Sequence, residues 1–571
     1  MTQEQTKKGE AAGQDLVSAP FYSYHHFTKH TVAKLMSYQH RLDWANQPDP
    51  FRTYKGAARI VLPRAIKVSS LRYFAALEAM LAGQGIGSRG VIPPPEPADL
   101  SLLSNLLFYS MSISAWKQLA GTGERWSLRA NPSSGNLHPT ETHLLLHAVD
   151  GAEDGAYHYF VPEHALEQRA TGHLAKPIWQ ALTGEADTPP VVICLTSIFW
   201  REAWKYRDRG YRYCQHDMGH ALAAVMLSAA ILGWRARIIA EFPDGDLARS
   251  LDLVAAGEQP ALVIGLQPGL QVQTKATAKQ PRDEKWIGEQ FQFVGQANAL
   301  SRELVEYKSI DFVHAATCLS ATSWSESSVK ELPAAGERPS DMEACDAEKE
   351  AVYTPDPDVI ERSVNWVVRK RRSAIDLDGR QHMKVAALET LLVSATRGFA
   401  ADFQRPTPWQ SDSPTPGHHL IHLYLYVHRV DGLPPGIYYF DRISRHLVPL
   451  VHADEGDAAK YASCFQDIAA DGCFAISMVA DFNTAYQLYG DRGYRYVHFE
   501  AGLIGQWLYL GATALGLEST GISCFLDDGV NNLLALPPGL ECVYNFTVGR
   551  AVFDPRLTTL PAYDFPDPAL A

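Results

Sequence analysis

Tyr206-Arg-Asp-Arg-Gly-Tyr-Arg-Tyr213 recurs 283 residues later as Tyr489-Gly-Asp-Arg-Gly-Tyr-Arg-Tyr496, identical at seven of eight positions. Each copy is followed by an acidic residue and a glycine, Asp217 and Gly219 or Glu500 and Gly502. A long apolar helical pattern follows and closes on Gly233 or Gly516, the residue type that commonly ends a helix. Ahead of each copy lies an apolar strand-like run, 191–196 or 475–479. Further out, Gly155-Ala-Tyr-His-Tyr-Phe160 answers Gly436-Ile-Tyr-Tyr-Phe440, and the β-like runs 261–265 and 544–549 close the two copies. Neighbours kept in one order mean two copies of a single α+β domain, with a period far too long for a solenoid. Fused duplicates tend to reproduce the two-fold arrangement of a dimer, so the chain predicts an intramolecular pseudo-dimer with two equivalent interface sites.

The 571 residues are too many for one core. The expected layout is a flexible N-terminus (1–20), a first domain (21–268), a linker with a loose acidic segment (269–352), a second domain (353–555) and a C-terminal tail (556–571). Spacing predicts helices over 71–81 and 100–119, separated by a break containing Pro93-Pro-Pro95. A net charge of −13, with Arg369-Lys-Arg-Arg372 the one basic run, argues against nucleic acid and anionic membranes as partners. The longest apolar stretch, near 221–234, is shorter than a membrane span. Eight scattered cysteines without Cys-x-x-Cys suggest neither a disulfide framework nor a zinc site, and point to a reducing cytoplasm. His25, His26 and His30 have no acidic or cysteine companion at ligand spacing, so Tyr24-His-His-Phe-Thr-Lys-His30 reads as a packed arm rather than a metal site.

The copies differ in an orderly way. The first carries the turn Pro132-Ser-Ser-Gly-Asn136 before an apolar strand, where small polar residues bring hydroxyls and N–H groups close to a flat or anionic ligand. The second has Pro414-Thr-Pro-Gly-His418 there, losing the asparagine and one backbone donor. Lys205-Tyr206 in the first copy becomes Leu488-Tyr489 in the second. The second copy in turn has the Arg369-Lys-Arg-Arg-Ser373 run, where the first has a glycine-rich stretch with Ser88-Arg89. It also has Gly521-Ile-Ser-Cys-Phe-Leu-Asp-Asp528 and a closing Gly549-Arg550. Arginine forks suit a phosphate, although such a run is equally a solvated cationic face.

In this order the motifs resemble the nitroreductase superfamily of FMN enzymes. More narrowly, Pro-Ser-Ser-Gly-Asn-Leu-His-Pro-Thr-Glu141, Lys205-Tyr-x-x-Arg-Gly-Tyr-Arg-Tyr213 and Phe525-Leu-Asp-Asp528 are similar to the SagB-type thiazoline/oxazoline dehydrogenase branch. The resemblance implies FMN at the interface. Arg371, Arg372, Ser373, Gly521, Ile522, Ser523 and Arg550 would come from the second domain. Pro132, Ser133, Ser134, Gly135 and Asn136 would come from the first, giving one complete site per chain and a degenerate second cleft. It further implies Lys205 and Tyr206 as the catalytic pair that removes a proton while the flavin takes a hydride. The implied substrate is a small molecule or a modified peptide bearing an azoline-type heterocycle, with a peptide-maturation enzyme as partner. Two other readings stay open. An NAD(P)H-dependent nitro, quinone or flavin reductase would bleach its flavin with NAD(P)H. A non-catalytic protein recruiting a peptide or enzyme would be colourless and retain no FMN.

Overall fold

The computed structural model describes residues 16–37, 41–83, 91–269, 291–326, 362–399, 401–403 and 419–570. The acidic stretch 331–358, the second-copy turn 414–418 and Ser88-Arg89 lie outside these residues.

Two antiparallel sheets carry the duplication. The first runs, edge to edge, Ala58–Val61, Ala165–Thr171, Gly155–Phe160, Thr140–Leu146, Val191–Ser197, Gln259–Pro268, Trp234–Ile239. The second runs His446–Val451, Gly436–Asp441, Ile421–Val427, Phe474–Asp481, Leu540–Gly549, Glu518–Ile522. Apart from the extra edge strand of the first sheet, the orders coincide strand for strand. Every residue of Thr140–Leu146 and Val191–Ser197 is buried, which is why these strands read as continuous apolar runs rather than alternating ones.

The long helices Gly210–Ile231 and Gly493–Ala514 are buried along their whole length. They meet at Gly219 and Gly502, the glycines that follow each repeat. A Cβ on Gly219 would stand 2.3 Å from the Phe499 carbonyl oxygen, and one on Gly502 would stand 2.1 Å from that of His216. Bare backbone on both sides allows this close approach.

The repeated octapeptide makes reciprocal clamps across the interface. Arg209 and Arg212 hold Asp527 through Nη1 contacts of 2.9 and 2.7 Å. Arg492 and Arg495 hold Asp244 through contacts of 2.6 Å each. All six side chains are buried, and residue i of one half meets j of the other while the equivalent of j meets the equivalent of i, the signature of a two-fold interface.

The arms follow the same symmetry. Helix Pro20–Phe27 packs on the second domain, the Phe21 N–H donating to Asp491 Oδ1 at 3.0 Å, while the Thr28 carbonyl accepts from Arg209 Nη1 of the first domain at 2.8 Å. Helix Lys308–Thr317, from within the stretch expected to be linker, repeats this on the first domain: the Thr317 and Tyr211 hydroxyls lie 2.7 Å apart, while the Thr317 carbonyl accepts from Arg492 Nη1 of the second domain at 3.0 Å. Within the expected flexible N-terminus, Leu16 and Ala19 are buried. Within the expected tail, Leu557–Leu560 pairs with Ile113–Leu119 of the first domain, which also pairs with Arg125–Arg129.

One helix differs from expectation. Helix Tyr73–Gly83 matches the spacing over 71–81, but 100–119 divides into helix Leu100–Ser110 and strand Ile113–Leu119. Just beyond the helix the Ser112 hydroxyl donates to the Phe108 carbonyl at 2.7 Å. The strand lies between Arg125–Arg129 and a partner more than four hundred residues away, and helical periodicity read locally registers neither. Among the described residues no helix is long and apolar enough to cross a membrane.

Candidate functional site

A cleft of about 620 Å³ opens between the halves, within the range of ligand pockets. The first half contributes residues 131–136, His138, Tyr206, Asp217 and His220. The second contributes 371–375, Tyr509, 520–524, Tyr544 and 551–554. The 132–136 turn, the 371–373 segment and the 521–523 strand end therefore share one cavity wall. Arg550 is exposed and absent from the lining; Lys205 is also absent from it, its Nζ approaching the cleft only over Gly135. The closing strand stops at Gly549, and it is the following residues, Ala551–Asp554, that cross the rim.

The turn is built from left-handed residues: φ is 58° at Gly135, 60° at Asn136 and 53° at His138. Asparagine tolerates that region, and Asn136 Nδ2 is tied to the Ser127 carbonyl at 2.9 Å. Asp217, on the long helix, anchors the turn by accepting from the Ser134 N–H at 3.0 Å and the Ser134 hydroxyl at 3.2 Å. Burial pushes the Asp217 carboxyl up to about 7, against the lowering effect of those hydrogen bonds. Glu202, wholly buried behind it, is held well above the ordinary carboxylate range by burial and by Asp217. A Cβ on Gly135 would lie 2.6 Å from the Tyr206 hydroxyl and 3.1 Å from Lys205 Nζ. The missing side chain is what lets both groups reach over the turn. Burial above all raises the Tyr206 hydroxyl well above its usual value, so it remains a proton donor.

Across the cleft, Arg369 is a structural residue: it donates to Asp567 Oδ2 at 2.6 Å and lies over the Phe108 ring. Arg371 and Arg372 differ. Arg371 is buried and donates only to the carbonyls of Ala130 and Arg129, at 3.2 and 2.9 Å, leaving Nη1 unpartnered. Arg372 donates to the carbonyls of Arg369, Arg371 and Ser114. Among the described residues neither forms a salt bridge to a carboxylate. Burial pulls Arg371 down to about 10. Burial, with Arg371 and Arg369 nearby, pulls Arg372 down to about 9. Guanidinium stays charged near neutrality, so two cations without a carboxylate partner beside a cleft are residues that could hold an anion. Ser373 Oγ lies 3.0 Å from the Tyr509 hydroxyl, which also accepts the Gly521 N–H at 2.8 Å. Tyr509, Tyr544 and the anchoring role of Asp217 had no mark in the sequence beyond their place on repeated elements.

The reciprocal position is filled. The backbone equivalent to Gly521–Cys524 is residues 238–241. There Ala401 bridges Ile238, the Asp402 N–H donates to the Ile238 carbonyl at 3.1 Å, and Asp402 Oδ1 accepts the Ala240 N–H at 2.7 Å. Phe403 stacks on Tyr496, the counterpart of Tyr213, with centroids 3.9 Å apart and planes at 7°.

A family model described as the nitroreductase family matches residues 113–267 and 368–550. The trifolitoxin-processing protein TfxB of Rhizobium leguminosarum bv. trifolii is 32% identical over 148 residues, 25% of this chain and 39% of that protein. The microcin B17-processing protein McbC of Escherichia coli is 29% identical over 143 residues, 24% of this chain and 52% of that protein. The chain thus spans about half or less of the length of these two relatives. The solved structure of a candidate nitroreductase from Anabaena variabilis ATCC 29413 is 25% identical with a TM-score of 0.70, covering 94% of this chain and 100% of that one.

Proposed function

The chain belongs to the nitroreductase family, and from that premise we propose that it is an FMN-dependent oxidoreductase of the SagB type that removes hydride from an organic substrate in the cleft between the halves. The observation that carries this reading is the meeting of Arg371 and Arg372, cations with no carboxylate partner, with the Ser133–Asn136 turn in one cavity of sufficient size. The donor set fits FMN: a phosphate would satisfy the arginines, and the turn and the 521–523 strand end would flank the ring. Arg550 stands outside the lining and is left out of that set.

Bound FMN supplies a two-electron hydride acceptor. Lys205, reaching over Gly135, takes the proton the substrate releases, and Tyr206, kept protonated by burial, donates a hydrogen bond that orients it. Pro132 and the buried Asp217 keep the turn fixed while this occurs. Two relatives are named as processing trifolitoxin and microcin B17, and this supports a modified peptide bearing an azoline-type ring as the substrate class, with a peptide-maturation enzyme as partner.

The test is an absorbance spectrum of the purified protein with flavin counted per chain. One FMN per chain is expected. Lys205→Ala should keep the flavin while slowing substrate oxidation by on the order of 100-fold or more. The double change Arg371→Ala, Arg372→Ala should instead release the flavin. Flavin loss in the lysine variant, or full retention in the arginine variant, would refute the assignment.

A further inference from the structure

We propose that His30, Cys464 and Cys524 form a zinc site that fastens the N-terminal arm to the second domain beside the cleft. The ligands come from three segments: the residue ending the arm, the loop after helix Gly456–Ala462, and the chain just beyond strand Glu518–Ile522. This dispersal is why no ligand spacing is visible in the sequence. One donor atom from each residue lies within 4.8 Å of the others, and His30 Nδ1 stands 3.8 Å from Cys524 Sγ. Tetrahedral zinc, with bonds of about 2.3 Å to sulfur and about 2.0–2.1 Å to nitrogen, sets its donors roughly 3.5–3.8 Å apart. The three atoms therefore need only a small contraction.

The ligands are anchored from behind. The His30 N–H donates to Asp527 Oδ2 at 2.8 Å, the carboxylate that Arg209 and Arg212 clamp. Gln466 Nε2 donates to the carbonyls of Ser463 and Cys524, at 2.8 and 3.2 Å, and so ties the two cysteine-bearing segments together.

The pseudo-two-fold axis provides an internal control. Leu319 takes the place of His30, its N–H bonding Asp244 Oδ2 at 2.9 Å. Glu241 takes the place of Cys524. The ligand set therefore exists only on the side of the open cleft, whose wall includes Cys524. Two sulfurs and an imidazole favour zinc over magnesium or calcium. Binding releases the thiol protons, and one of the four positions is left for water or a ligand in the cleft.

In the experiment, full-length protein is stripped with a chelator and titrated with Zn2+ alone, while metal content, reactive thiols and flavin are read on the same samples. One zinc per chain and protection of two thiols are expected. His30→Ala and Cys464→Ser, made in parallel, should each weaken zinc binding by more than about tenfold, with flavin content unchanged. Zinc uptake that is absent, or equal in both variants and the parent, would overturn the site. So would a Cys464–Cys524 disulfide in protein isolated without reductant, if its reduction gave no zinc uptake. Missing flavin with zinc present would instead count against the oxidoreductase reading, so the two ideas fail separately.

Discussion

Asp217 shows how one side chain links stability to the shape of the cleft. Its carboxyl, ordinarily near 3.8, sits at about 7 in the fold because it is buried. Between those values the folded chain keeps a proton that the unfolded chain has released, so stability falls as pH rises. The fall is at most about 1.4 kcal/mol per pH unit. Asp217→Asn retains an acceptor for the Ser134 N–H and cannot ionise. Its melting temperature should exceed that of the parent by a margin that widens from about pH 5 to about pH 8. A margin independent of pH would show that Asp217 does not carry this proton. At this scale the sequence was legible where residue type constrains chemistry, as with the small polar turn and the arginines. It was silent on Asp217, whose partner Ser134 lies 83 residues away and is met only in the fold.

Among the elements, the two long helices define the interface, and their crossing admits no side chain at Gly219 or Gly502. The obstructing atoms are carbonyl oxygens of the opposite helix, not movable side-chain tips. Gly219→Ala should therefore destabilise the protein by roughly 1–3 kcal/mol or more, read as a lower urea midpoint. A neutral result would mean that the helices slide apart freely. The clamps make a paired prediction. Asp244→Asn and Asp527→Asn each leave two buried arginines uncompensated, a loss of about 3–5 kcal/mol. The octapeptide announced the duplication, yet its work as a clamp was hidden because its acidic partners lie in the other half. Strand Ile113–Leu119 was misread for a related reason: one of its two pairing partners lies at Leu557–Leu560.

For the whole molecule, duplication has become a division of labour. One interface cleft is open, and at the reciprocal position, among the described residues, 401–403 lie against the backbone at 238–240 and the Tyr496 ring. Removing the plug with Asp402→Ala and Phe403→Ala should loosen the structure without raising flavin above one per chain. The cleft it vacates lacks the counterpart of Lys205, which is Leu488. Two flavins per chain in that variant would show that the plug alone had closed a competent site. The pairing of complementary halves was readable from which motifs each copy kept. The plug was not, because 401–403 carries no motif and acts through backbone, the Asp402 carboxylate and one aromatic ring.

The edge strand Leu557–Leu560 also bears on how the protein is made. Strand Ile113–Leu119 leaves the ribosome early with one side unmatched, and its partner is translated only after both sheets and both long helices. Until then the nascent chain carries a bare β-edge, the kind of surface that recruits stray strands and favours aggregation. Its safe maturation depends on shielding that edge throughout synthesis.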